Sequence, residues 1–141
     1  MLAYPVSDKP IDYNKPVFIQ PKLDGVRCLI QYEGGGICKA YSRTGKEWKN
    51  IEHILFNLTE WFVLNPNIIL DGELYNHDFK DDFESIISMV RKTKPTDEDR
   101  SISAKNVQFH CYDIVDETKS FEQRNNFIKQ AVPRNHCVHH V

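Results

Sequence analysis

The chain has 141 residues, a net charge of −2 and the charged and apolar fractions of an ordinary soluble globule, which bounds it to one domain burying roughly 70% of its unfolded surface. That balance excludes an overall basic field, so any nucleic-acid binding has to come from local patches. No apolar run approaches the ~20 residues of a membrane span, and the N-terminus lacks a basic-plus-apolar leader pattern. The four cysteines are therefore read as free thiols in a reducing compartment, not as a disulfide framework.

Pro5, Pro10 and Pro16 among polar residues predict an extended arm over residues 1–16. Val17-Phe18-Ile19 reads as a short strand entering Gln20-Pro21-Lys22-Leu23-Asp24-Gly25-Val26-Arg27, where Asp24-Gly25 forces a tight turn and residues 27–32 form the next strand. A lysine at such a turn is badly suited to core packing and well suited to meeting a phosphate, so Lys22 is read as the nucleophile of a nucleotidyl transfer. Glu33-Gly34-Gly35-Gly36 turns the chain, and residues 37–41 return as the second arm of a hairpin. The triple glycine lacks the spacing and the following helix of a phosphate loop.

Ser42-Arg43-Thr44-Gly45-Lys46-Glu47 follows as a polar corner. It has two readings: a solvated loop, or a set of hydroxyl and cationic donors for phosphate or ribose oxygens. Ile51, Ile54, Leu55, Leu58 and Phe62 recur at helical spacing across residues 49–64, and Asn65-Pro66 stops that helix. Ile68-Ile69-Leu70 reads as a buried strand delivering Asp71-Gly72-Glu73-Leu74-Tyr75 at its end. Carboxylates bracketing a glycine there present a metal or ribose ligand, or make an ordinary turn. A second helix is predicted over residues 81–91, with Phe83, Ile86, Ile87 and Val90 inward. Residues 93–103 read as a polar loop, residues 107–115 as a strand carrying Tyr112-Asp113, and residues 121–131 as a third helix broken by Pro133. His136, Cys137, His139 and His140 are possible zinc ligands, but no CxxC or HxxxH spacing supports zinc, and Cys28, Cys38 and Cys111 fit strand patterns as small apolar residues.

Four of these segments, in this order, resemble the ATP-dependent DNA ligases, within the covalent nucleotidyltransferases that also include RNA ligases and mRNA capping enzymes. Lys22-Leu23-Asp24-Gly25-Val26-Arg27 matches the family's K-x-D-G-x-R element, Ser42-Arg43-Thr44-Gly45 resembles the second, Asp71-Gly72-Glu73 the third and Tyr112-Asp113 the fourth. The likeness covers residues 17–115 and extends toward the third helix. It implies an α+β fold of antiparallel twisted sheets with outer helices, the ATP-grasp-like adenylation domain of a DNA ligase. It also implies ATP and Mg²⁺, a covalent lysyl-AMP on Lys22, and nicked double-stranded DNA as partner in replication, repair and recombination. Asp24 would fix the turn and orient Lys22 or the ribose. Arg27 would face the nucleotide phosphates, Arg43 and Lys46 the phosphate of the nick, and Arg43 the nucleotide as well. Glu73 would hold a ribose hydroxyl or a metal through water, Tyr112 would stack on adenine, and Gln20 would read the base edge.

The family continues with a Glu-Gly element, a K-x-K strand and an OB-fold domain, none of which follows Asp113 in this sequence. Residues 17–141 are thus expected to form a partial adenylation domain that ligates poorly alone and that a second polypeptide could complete. An RNA ligase or capping guanylyltransferase using the same lysine is the alternative inside the superfamily. A non-catalytic nucleotide- or DNA-binding fragment is the alternative outside it. An intracellular location is expected, the cytoplasm or a eukaryotic host's nucleus, with no membrane partner.

Overall fold

Cys28 and Ile30 alternate with Arg27, Leu29 and Gln31, and this period of two builds β1 (Val26–Gly34). The computed structural model describes residues 6–141. Gly34, Gly35 and Gly36 all hold positive φ, which only glycine adopts without strain, and the chain returns as β2 (Ile37–Tyr41). β1 pairs on its other side with β4 (Ile69–Tyr75), and β4 with β5 (Gln108–Ile114). The short strands β3 (Glu47–Trp48) and β6 (Val138–His140) close the edges, giving one sheet in the order β3-β2-β1-β4-β5-β6. The expected antiparallel arrangement holds at every pairing but the last, because β6 runs parallel to β5.

α1 (Glu52–Leu64) buries Ile54, Leu58 and Phe62, and α4 (Phe121–Ala131) buries Ile128. These side chains join Cys28, Ile30, Leu70, Leu74, Phe109 and Cys111 in one core on a single face of the sheet. All four cysteines are free and buried. α2 (Phe83–Val90) and α3 (Asp97–Asn106) are tied together by Asn50, whose Nδ2 donates to the carbonyls of Met89 at 2.9 Å and Asp99 at 3.3 Å. The opposite face of the sheet carries Arg27, Glu73, His110 and His139 as cross-strand neighbours in one row. No helix among the described residues is long and apolar enough to cross a membrane.

Three expectations are corrected. Residues 17–19 are not a strand: Val17, Phe18 and Ile19 are exposed and unpaired to the sheet. Pro16 and Pro21 flank them without backbone donors, and Phe18 instead meets Phe121 edge-on at 5.3 Å. The polar stretch at 93–103 is not a loop, since α3 begins inside it. Thr96 and Asp99 form a capping box, and three acidic residues in the first turn favour the helix dipole. Asp71-Gly72-Glu73 lies within the central strand β4, not at a strand end. Of the arm, residues 6–16 are exposed and form neither helix nor strand, while residues 1–5 lie outside the described residues.

Gly72 is required by close approach. A Cβ there would stand 2.5 Å from the His110 carbonyl oxygen and 2.5 Å from the Phe109 ring. The ring could turn aside, but the carbonyl belongs to the paired strand. Gly72→Ala is expected to lower unfolding free energy by about 3 kcal/mol, with Phe109→Leu in the same chain recovering only the part due to the ring. Urea denaturation of the three variants checks this; a Gly72→Ala chain as stable as the native one refutes it.

Candidate functional site

Lys22 and Asp24 sit exposed on the irregular segment that enters β1. Gly25 bends there against β4, so closely that a Cβ would meet the Leu74 carbonyl oxygen at 2.4 Å. Gly25 thus lies against the Glu73 side chain on the sheet's open face, and the Gly25 backbone and the Lys22 charge both act to lower the Glu73 pKa. Arg27 grips Asp71 with two parallel bonds, Nε to Oδ1 at 3.0 Å and Nη2 to Oδ2 at 2.6 Å. The Arg27 charge is therefore largely balanced by its own partner. The sequence reads Asp71 with Glu73 as carboxylates bracketing a glycine, a metal or ribose ligand or an ordinary turn; its role as the anchor of Arg27 needs the register that sets Asp71 two pairs along from Glu73.

Tyr112 lies where the β4–β5 register shifts, Asp71 facing Asp113 and Gly72 facing Cys111, so that Tyr112 is the extra residue of a bulge. Burial, then the negative charge of Asp71 and Glu73, pushes its phenol pKa up, so it stays protonated. Gln20 Nε2 donates to the Tyr112 carbonyl at 3.2 Å, clipping the lysine segment to this bulge. The neighbouring Asp113 is held by Arg124, Nε to Oδ1 at 2.6 Å and Nη2 to Oδ2 at 3.0 Å, which fixes the bulge from the α4 side.

Arg43 and Lys46 lie across a cleft from this face. Their loop is closed on itself: Ser42 N donates to the Lys46 carbonyl at 2.7 Å, Gly45 N to the Ser42 carbonyl at 2.9 Å, and Gly45 takes a φ of +79°. The cleft, about 520 Å³, is lined by Gly25 to Arg27, by Ser42, Arg43, Thr44 and Lys46, by Trp48, and by Phe83, Ile87 and Arg91 of α2 and its C-cap. Arg43, Thr44, Gly45 and Lys46 are exposed, so the polar corner is a solvated loop that also lines this cleft. Arg27, Arg43 and Lys46 are brought together here, whereas Gln20, Lys22, Asp24, Glu73 and Tyr112 are not among the cleft's lining residues. No group of three or more His, Cys, Asp or Glu among the described residues is arranged to hold a metal ion. Among the described residues Glu73 forms no ion pair with an arginine, unlike Asp71 and Asp113.

Burial raises the Glu73 carboxyl to about 7, with the nearby Asp71 charge adding to the rise. Burial lowers His110 to about 4, helped by His139 stacked on it at 4.8 Å and by His77. The signs oppose. The folded chain binds fewer protons at His110 than the unfolded chain does, so this group costs stability as pH falls from about 6.5 toward 4. Glu73 is the reverse: its folded form holds a proton the unfolded chain has lost, so it costs stability as pH rises from about 4.5 to 7. His110→Phe, which keeps a ring between Tyr75 and His139, is expected to gain on the order of 1–2 kcal/mol over the native chain between pH 7 and pH 4.5. Parallel stability curves for the two chains across that window count against it.

A family model described as ATP dependent DNA ligase domain matches residues 1–141, and the chain belongs to that family. Among curated relatives, the DNA ligase of African swine fever virus (isolate Pig/Kenya/KEN-50/1950) is 36% identical over 67 residues, which are 47% of this chain and 16% of the viral protein. A solved structure named "Pmar-Lig_Pre." shares the fold with a TM-score of 0.62 at 20% identity, covering 84% of this chain and 28% of that one. Another, described as "DNA binding with a minimal scaffold: Structure-function analysis of Lig E DNA ligases", gives a TM-score of 0.55 at 27% identity, covering 85% of this chain and 41% of the other. The chain thus spans a minor part of the length of each relative.

Proposed function

We propose that this chain performs the first step of ATP-dependent DNA ligation, transfer of AMP from ATP to Lys22. The observation that carries it is the placement of Lys22, exposed, beside an open sheet face bearing Glu73 and the bulged Tyr112, and next to a cleft walled by Arg27, Arg43 and Lys46. In this reading residues 17–141 carry the chemistry and the exposed residues 6–16 lead to it.

The Lys22 amine, once deprotonated, attacks the α-phosphorus in line. A P–N bond forms as the bond to pyrophosphate breaks, leaving a lysyl-AMP phosphoramide. Tyr112 offers its ring to adenine, a contact worth ~1–3 kcal/mol by analogy with base–aromatic stacking. Gln20 has its amide nitrogen bonded to the Tyr112 carbonyl, so its remaining acceptor oxygen is the part left for the base edge. Asp24, exposed just before the bend at Gly25, would orient Lys22 or the ribose. Glu73, when ionised, accepts from a ribose hydroxyl, and its titration near pH 7 makes that contact strengthen as pH rises through neutrality. Bound Mg²⁺ supplies charge neutralisation on the leaving pyrophosphate. Glu73 would meet it through water, since Asp71 is committed to Arg27. Arg43 and Lys46 would take a phosphate of nicked duplex DNA, and the open face fits a closing layer provided by further residues or a second polypeptide.

The test is self-labelling. The chain is incubated with α-phosphate-labelled ATP or GTP and Mg²⁺, denatured, and scored for a covalent adduct. Label from ATP in preference to GTP supports the proposal. Preference for GTP moves the chain to guanylyl transfer, and no label on a folded chain leaves a nucleotide- or DNA-binding role.

A further inference from the structure

Arg91 was not singled out by its sequence context, yet it stands in the cleft. Phe83, Ile87 and Arg91 recur every four residues and so form one stripe along α2. That stripe is the wall facing the Ser42–Lys46 loop. Its position is firm, because Met89, two residues before Arg91, accepts a 2.9 Å bond from the buried Asn50.

Two further observations give the cleft its chemistry. No carboxylate is among its lining residues, although the whole chain carries a net charge of −2. Among the described residues Arg43, Lys46 and Arg91 form no ion pair, whereas Arg27 is committed to Asp71. Three uncommitted cations therefore face one space from two walls. The α2 wall also presents Phe83 and Ile87, an apolar surface beside the positive head. A nucleic-acid strand offers the complement, a charged phosphate flanked by the less polar face of a sugar.

We propose that Arg91 is a phosphate-binding residue for the DNA strand, gripping the backbone from α2 opposite Arg43 while Phe83 and Ile87 pack on the adjoining sugar. The proposal rests on the ligase reading and adds to it a second wall of the DNA site. The rival occupant of the same charge is the triphosphate tail of ATP. A purely structural role is also defined, since Arg91 caps the C-terminus of α2, where a cation favours the helix dipole.

The experiment measures binding of the 141-residue chain to a fluorescein-labelled nicked duplex by anisotropy, from about 20 to 200 mM salt, for the native chain, Arg91→Ala and Arg91→Lys. Arg91→Ala is expected to weaken binding roughly three- to tenfold at low salt and to reduce the slope of log affinity against log salt by about 0.9, the signature of one lost phosphate contact. Arg91→Lys is expected to recover the slope. An unchanged slope in Arg91→Ala overturns the proposal, as does native chain that binds no nicked duplex. An equal rise in the ATP concentration that half-saturates self-labelling assigns the arginine to the triphosphate and also overturns it. A lysine variant that is folded by circular dichroism but keeps the reduced slope also overturns it, since lysine still offers one cation to a phosphate, whereas a lower melting temperature of Arg91→Ala with an unchanged slope leaves only the helix-capping role. Failure of the ligase reading is seen separately, as absence of covalent label on the native chain.

Discussion

Lys22→Ala is expected to remove covalent labelling by ATP completely, and Lys22→Arg to do the same. The reaction requires a neutral amine that can form a P–N bond. Alanine has none, and a guanidinium does not give up its proton near neutral pH. A free lysine side chain is neutral in only about one molecule in 2,500 at pH 7, so the step depends on cations and bound phosphate that favour the amine. Labelling by the native chain should rise as pH passes upward through neutrality, because Glu73, pushed up to about 7, completes its ionisation. The Lys22 side chain is exposed, so neither substitution removes core packing, and both variants should melt with the native chain. A labelled adduct that persists in Lys22→Ala would place the nucleophile elsewhere and sink the assignment.

What was legible in the sequence is local. The hairpin of β1 and β2 follows from strict alternation around three consecutive glycines. α4 begins and ends where its Ser120 cap and the approach to Pro133 require. Lys22, Arg27, Glu73 and Tyr112 were chosen from short motifs, and the structure sets Arg27, Glu73 and Tyr112 on neighbouring strands of one sheet. What the sequence hid is non-local. That Arg27 spends its charge on Asp71 depends on a pairing across 44 residues. That Tyr112 is bulged depends on a register shift between β4 and β5. The parallel entry of β6 is decided by where α4 delivers the chain, not by any residue of the tail. α3 was lost for another reason: its stability lies in its capping box and its dipole, while its apolar periodicity, the signal relied on, is nearly absent. The strand expected at 17–19 shows the converse error, since apolar residues in a row do not make a strand without a partner edge.

The ion pair of Arg27 and Asp71 should have the largest effect on stability among the polar contacts of the site. Asp71 is 5% exposed, and its carboxylate is held on both oxygens by one guanidinium. Arg27→Ala leaves that charge in place with little water to replace its partner, a loss of about 3–5 kcal/mol. Arg27→Ala with Asp71→Ala should lose less than the sum of the single changes, because the second substitution removes the charge that the first stranded. Arg27→Ala with Asp71→Asn, which keeps the shape and removes the charge, should recover part of the loss in the same way. Additive losses in both double variants would mean that the pair is not coupled and that Arg27 contributes through packing alone. The consequence for function follows from position: Arg27 belongs to the cleft wall because Asp71 holds it there, so an anion entering the cleft meets a guanidinium already fixed in direction and partly neutralised, and the remaining charge it needs must come from Arg43, Lys46 and the α2 side.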